Sequence, residues 1–249
     1  MSGLMDAHVH LQHPLLRKDV EGVLRRAREA GVRRLACNGT APSDWPRVLE
    51  LAEAHEEVIP FFGLHPWYVA QAGEGWSRTL EDFLGRIPSG VGETGLDATK
   101  GDASSQEAAF RTQLAVARER RLPIVVNCVR AWGRLMELLR EEGPSSGGMI
   151  LHAYSGPKEL LAPLAELGAY FSFAGFTLEE RRGKVLESLM AAPLDRLLLE
   201  TDAPDPKEGG EPAGLPAVLA RAASLRGMKE PELSRVLSEN AGRAFKGLL

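Results

Sequence analysis

Two histidines one residue apart, His8 and His10, end the first apolar run of this 249-residue chain. If the run is a strand, its side chains alternate and both imidazoles point to the same side. Two such imidazoles can hold one divalent metal ion, or they can simply pack together. Three further runs end in groups of the same kind. Glu93 closes GVGE, His152 closes MILH, and Glu200, Thr201 and Asp202 close RLLLETD. Each has an ordinary explanation alone. Glu93 could pair with a basic side chain, His152 could be a satisfied core histidine, and Asp202-Ala-Pro could be turn chemistry. Taken together they point further, because Glu93 and Asp202 would be costly if buried unpaired and a shared cation removes that cost. Histidines and carboxylates without cysteines suit Zn, Mn, Mg or Fe. Such sites usually hydrolyse: a metal lowers the pKa of bound water, and two metals can clamp both reacting oxygens of a phosphodiester.

Positioning these groups requires an ordered scaffold. Short aliphatic runs at 4–10, 34–38, 58–63, 90–93, 124–127, 149–152, 169–173 and 196–200 read as buried parallel strands. Helical patterns fall between and after them, at 20–30, 43–54, 76–86, 105–120, 131–142, 157–167, 178–190, 215–224 and 231–245. Gly31 is a natural C-cap for the first and Ser43 a plausible N-cap for the second. Strict alternation implies right-handed crossovers. The expected fold is α/β, a TIM-type (β/α)8 barrel, as a single domain over residues 1–249. The rival is an open doubly wound sheet, whose dinucleotide-binding version is weakened because no GxGxxG follows the first strand. In both folds the site lies at the C-terminal ends of the strands.

A formal charge of −4 and pI near 5.9 argue against a protein that coats nucleic acid through a broad basic surface. They do not exclude an enzyme that takes a few nucleotides into a metal-lined cleft. Cys37 and Cys128 form no metal-binding pair and are expected reduced and buried, in a cytoplasmic protein. The opening MSGLMDAHVH has no signal-peptide pattern, and no apolar run approaches the roughly 20 residues that span a bilayer. Arg181-Arg182 and Lys207-Glu208 read as solvated surface.

MDAHVHL, GLHPW, VGETGLD, the stretch QEAAFRTQLAVARERRLP from Gln106, LHAYSG, LLLETDAP and SENAGRAF occur in one order. That order and spacing, from Asp6 to Phe245, resembles the TatD-family metal-dependent deoxyribonucleases. The resemblance implies a TIM barrel and a hydrolase with one or two divalent ions (Mg, Mn or Zn), typically acting on DNA. It implies that His8, His10 and Asp202 hold the first metal, that Glu93 bridges to a second, and that His152 ligates the second with a histidine ending strand five. Asp202 would also orient or deprotonate the attacking water, which makes Asp202 and Glu93 the catalytic pair. His65 would touch a phosphate or stand behind the ligands; a plain loop histidine is the equal alternative.

The sequence departs from that pattern at strand five. Where the family reads proline, aliphatics and histidine, this chain has Asn127. An amide oxygen is a poorer ligand for zinc-like ions and suits Mg or Mn better. The second metal site is therefore expected to be weakened. Relatives often carry an arginine two residues later; here that position is Val129, with Arg130 next. Arg130 either contacts substrate, if the chain turns there, or faces solvent on a helix. Ala98-Thr99-Lys100 replaces a common aromatic after GLD. Trp67 and Tyr68 either stack on a base or pack their loop, and packing is the simpler reading.

The leading expectation is a phosphodiesterase, a deoxyribonuclease acting on single-stranded DNA ends, with no organic cofactor and no membrane partner. One alternative is an amide or ester hydrolase of the amidohydrolase type, which shares the HxH and the final aspartate. Many of those bridge two metals with a carboxylated lysine, and no lysine ends a strand here. Another is a metal-binding homologue with a defective second site, against which five retained ligand-type residues argue.

Overall fold

The computed structural model describes residues 3–143, 147–175, 183–204 and 210–249. Eight parallel strands pair in sequence order: β1 (Leu4–Val9), β2 (Val32–Asn38), β3 (Val58–Phe62), β4 (Gly90–Asp97), β5 (Ile124–Val129), β6 (Met149–Leu151), β7 (Ala169–Ala174) and β8 (Leu197–Glu200). Alternating with them are α1 (Val20–Glu29), α2 (Trp45–Ala54), α3 (Trp76–Leu84), α4 (Ala103–Arg120), α5 (Trp132–Glu142), α6 (Leu161–Glu166) and α7 (Gly183–Ala191); α8 (Leu215–Arg226) and α9 (Glu230–Ala244) follow β8. The first five residues of the helix expected over 178–190, and the pairs Arg181-Arg182 and Lys207-Glu208, lie outside the described residues.

The two ends of the sheet meet, which excludes the open-sheet rival. Val9 bridges Ala203, the His10 N–H donates to the Ala203 carbonyl at 2.7 Å, and the Asp202 N–H donates to His8 O at 3.1 Å. Asp6 fastens the same seam from within β1. Its carboxylate accepts the Thr201 backbone N–H at 2.9 Å and the Thr201 hydroxyl at 2.5 Å.

Strand alternation sorts the apolar side chains into two cores. Ala7, Ala36, Ile59, Phe61, Val125, Ile150, Tyr170 and Leu198 fill the barrel interior. Val9, Leu35, Cys37, Phe62, Val126 and Leu199 face outward and pack under the helices. Each fully buried Leu or Phe contributes about 1.5–3 kcal/mol of transfer free energy. The end of α9 closes the interior on the side away from the site: Phe245 meets Phe61 edge to face at 5.8 Å between ring centres. Gly148, just before β6, allows this approach, because a Cβ there would lie 2.5 Å from Ala244 O.

The N-cap of α2 is Asp44, not the expected Ser43, and makes no side-chain capping bond; two other helix starts are capped by side chains. Asp19 accepts from Gly22 N at 3.2 Å before α1, and Asp102 accepts from Ser105 N at 2.7 Å before α4. The clearest departure from the sequence reading is β4, which runs to Asp97 instead of stopping at Glu93. Gly95 reads as a strand breaker but does the opposite. At φ +137° it lets β5 come close, where a Cβ would sit 1.9 Å from Asn127 O. Pairing therefore continues to Asp97 opposite Val129.

Candidate metal centre

The strands deliver the expected groups to one place. His8 lies in β1 and His10 just beyond it, Glu93 in β4 and Asn127 in β5; His152 follows β6, Asp202 follows β8, and His65 follows β3. Glu93 reaches the centre through an irregularity in the β4 ladder between Val91 and Thr94. There its N–H donates to Gly39 O at 2.8 Å, and such a break re-aims a side chain.

The two oxygens of Glu93 serve different neighbours. Oε2 lies 3.4 Å from His8 Nε2 and 3.5 Å from His10 Nε2. Oε1 lies 3.2 Å from His65 Nε2 and 3.4 Å from His152 Nε2. Asp202 Oδ1 closes the first group, 3.8 Å from His8 Nε2 and 3.9 Å from His10 Nε2. The His8 and His152 rings stack at 3.9 Å between centres.

The outer nitrogens fix what the inner ones can do. His10 Nδ1 lies 2.8 Å from the Asn38 carbonyl, which can only accept, so Nδ1 carries the proton and Nε2 presents a lone pair. His152 Nδ1 donates in the same way to Glu200 Oε1 at 3.1 Å. His65 is the reverse: its Nδ1 accepts the Trp67 N–H at 3.1 Å, so the proton of the neutral ring sits on Nε2 and points at Glu93. His10 and His152 are thus prepared as ligands, whereas His65 is prepared as a donor.

Charge in the centre is tightly balanced. Burial would raise the Glu93 carboxyl, but His65 and His152 beside it, with hydrogen bonds from His65 and His8, hold it well below the usual carboxylate range. Burial, reinforced by His152, lowers His8 to about 4 and keeps it neutral. Burial opposes charge on His152 too, yet Glu200, Glu93 and Asp202 outweigh it and raise the ring to about 10. Burial raises Asp6 to about 7, against the hydrogen bonds from Thr201.

This donor set fits a divalent cation. Two groups, His8–His10–Asp202 and His8–Glu93–His152, each bring three ligand atoms within 4.8 Å of one another. The lone pair of His10 faces a carboxylate oxygen, and the proton that Glu200, Glu93 and Asp202 hold on His152 marks where a cation's positive charge would sit. The Nε2 atoms of His8 and His10 are 3.1 Å apart. Nitrogens on one ion at about 2.0–2.1 Å in a tetrahedral arrangement sit roughly 3.3 Å apart.

The centre forms the floor of a cleft of about 750 Å³. Asn127, 8 % exposed, lines it beside His152, and its amide has no hydrogen-bond partner among the described residues. His65, Trp67 and Tyr68 form part of the wall, as do His13 and Arg17. Arg130 lies elsewhere. The chain does turn at this residue, with φ +53°, and Arg130 lines a separate depression of about 240 Å³ with Asp97, Glu107 and Arg134.

Several supporting residues escaped the sequence reading. Gln113 of α4 grips the loop before His65: its Oε1 accepts from Leu64 N at 2.7 Å, and its Nε2 donates to Leu64 O at 3.1 Å and to Thr94 Oγ1 at 2.6 Å. Two turns earlier, Gln106 grips the next loop through Asp97 N at 2.8 Å and Asp97 O at 3.2 Å. Their seven-residue spacing on one helix face was the available signal. Asp6 precedes His8 by two, across the register shift of β1 between Asp6 and Val9, and Glu200 precedes Asp202 by two, so both were readable as sequence neighbours of ligands.

A closed (β/α)8 barrel with histidines and carboxylates gathered at the C-terminal ends of its strands defines a metal-dependent hydrolase. The chain belongs to the TatD related DNase family, whose sequence profile matches residues 5–246. It is 34% identical over 262 residues to the 3'-5' ssDNA/RNA exonuclease TatD of Erwinia tasmaniensis, covering 97% of this chain and 99% of that one. It is likewise 34% identical over 259 residues to the protein of the same name from Edwardsiella piscicida, covering 98% and 99%. The crystal structure of a TatD homolog from Escherichia coli K12 superposes with a TM-score of 0.90 at 29% identity, covering 97% of each chain.

Proposed function

We propose that this chain is a divalent-metal-dependent exonuclease that removes nucleotides from the 3′ end of single-stranded DNA or RNA. The observation that carries the reading is the divided carboxylate of Glu93, one oxygen toward His8 and His10 and the other toward His152. His8, His10 and Asp202 would hold one ion, Glu93 would bridge, and His152 with the Asn127 amide oxygen would hold the second. The nitrogen- and oxygen-mixed second set favours Mg or Mn over Zn. When bound, such ions activate water and stabilise charge on the phosphodiester oxygens.

The chain's own groups do the rest. Asp202, with its side chain 21% exposed, reaches the cleft and takes the proton of the attacking water. His65 donates from Nε2 to Glu93 and would turn that donor to a phosphate oxygen when a strand is present. Arg130, outside the cleft, is left for a phosphate farther along the strand. No lysine lines the cleft among the described residues, and the Glu93 bridge leaves no role for a carboxylated one. This supports phosphodiester over amide chemistry.

We also take residues 1–249 as one working unit in the cytoplasm. The buried free thiols Cys37 and Cys128, both pushed up to about 12 by burial, suit a reducing compartment. Among the described residues no helix is long and apolar enough to cross a membrane.

The test is Mn- or Mg-dependent digestion of an end-labelled single strand, with Asp202→Asn as control. Stepwise loss of 3′ nucleotides by the natural protein alone supports the proposal. Tight metal binding without digestion would redirect it to amide and ester substrates.

A further inference from the structure

Trp67 is the one exposed tryptophan of the four in the chain, at 45%. It lies in the first turn of a short 3-10 helix, Pro66–Gln71, and is held on several sides. Its Nε1–H donates to Asp97 Oδ2 at 2.6 Å, its backbone N–H to His65 Nδ1 at 3.1 Å, and the Lys100 ammonium lies 3.4 Å from the ring centre. Asp97 is itself held, accepting the Thr99 N–H at 2.7 Å and the Thr99 hydroxyl at 2.6 Å. Trp67 lines the cleft, whereas Asp97 and Lys100, which fix it, do not. Lys100 covers one face of the ring, and the indole still keeps 45% exposure while lining the cleft.

Folding does not require this arrangement, since the apolar surface stays open. Its ring centre is 5.0 Å from that of His65, and His65 in turn lies 3.2 Å from Glu93. A flat group seated on the indole is thus one residue away from the metal ligands. Arg17, without an ion-pair partner among the described residues, lines the same cleft and offers a phosphate its cation. A planar ring beside a phosphodiester is a nucleobase. Stacking on an aromatic side chain is worth on the order of tenfold in binding and tolerates every base.

We propose that Trp67 is a stacking platform for the unpaired 3′-terminal base, which seats the last phosphodiester over the Glu93 cluster. A base still paired to a complement cannot enter the cleft without its partner, so the platform also selects single strands. The proposal rests on the nuclease reading and specifies its substrate contact.

The test compares two 5′-labelled oligothymidylates, one ending in an intact 3′ nucleotide and one in an abasic residue. Fluorescence anisotropy measures binding to proteins that all carry Asp202→Asn, so that the strand survives. With Trp67 present, the intact end should bind on the order of tenfold more tightly. Trp67→Ala should bring that ratio to about one, and Trp67→Phe should keep most of it, which separates stacking from a folding defect. An unchanged ratio in Trp67→Ala, or no preference with Trp67 in place, would overturn the platform. If the protein with Asp202 still digests single strands in that case, the nuclease reading stands alone. If it neither digests nor binds them, both fall.

Discussion

Glu200 Oε1 accepts from His152 Nδ1 at 3.1 Å and, with the same oxygen, from the Ala153 N–H at 2.7 Å. This pair sets the ring so that Nε2 faces Glu93, and its negative charge makes that nitrogen a stronger donor to a cation. A group behind a metal ligand typically accounts for 10–100-fold in affinity. Glu200→Gln keeps the shape and removes the charge. Calorimetric titration with Mn should show the weaker of two binding events lowered by about that factor. Unaltered affinity would mean that Glu200 serves only the β8–β6 junction.

Asn127 is expected to limit the second ion. Asn127→His restores an imidazole and should tighten the second binding event, with a shift in preference from Mg and Mn toward Zn. The measurement is paired titration of both proteins with Mn and Zn. Equal second affinities in the two proteins would show that the amide position does not contact the ion.

Removal of divalent ions should lower thermal stability as well as activity. Without a cation, the lone pair of His10 faces Glu93 unrelieved, and only the proton on His152 offsets the buried carboxylates. An ion present at 100 times its dissociation constant stabilises the fold by about 2.7 kcal/mol. Scanning calorimetry with EDTA, and then with excess Mn, should show a Tm several degrees lower and its recovery. An identical Tm in both conditions would speak against a resident ion.

Gln113→Ala tests the support of the His65 loop. The change leaves Leu64 N and O and Thr94 Oγ1 without their partner, at about 1–3 kcal/mol for a buried unsatisfied group. Tm should fall, and kcat/KM should fall further than the loss of folded protein explains. Activity that tracks only the folded fraction would reduce Gln113 to a packing residue.

The barrel was legible because its signals are local. Eight aliphatic runs separated by amphipathic stretches state the alternation directly, and the ligand-type residues end those runs. What could not be read depends on contacts between distant segments. Gly95 looks like a strand end until the β5 backbone is seen against it. For Arg130 the sequence left substrate contact and solvent exposure equally open, and only the left-handed turn shows that it lines a depression apart from the cleft. The proton on His65 Nε2 follows from a bond to the Trp67 backbone, which no residue pattern encodes. The bond that holds Trp67 comes from Asp97, thirty positions away, and no local pattern encodes it.

Gln106 and Gln113 have a mechanical consequence. One steadies the segment carrying Asp97, which fixes the Trp67 indole; the other steadies the segment carrying His65. Both are mounted on the same bar, α4, roughly 10 Å apart at 1.5 Å per residue. Any rocking of that bar shifts the indole and the imidazole in step. Their separation is insulated from the movement, so the proposed base platform and the proposed phosphate donor would share a single gauge.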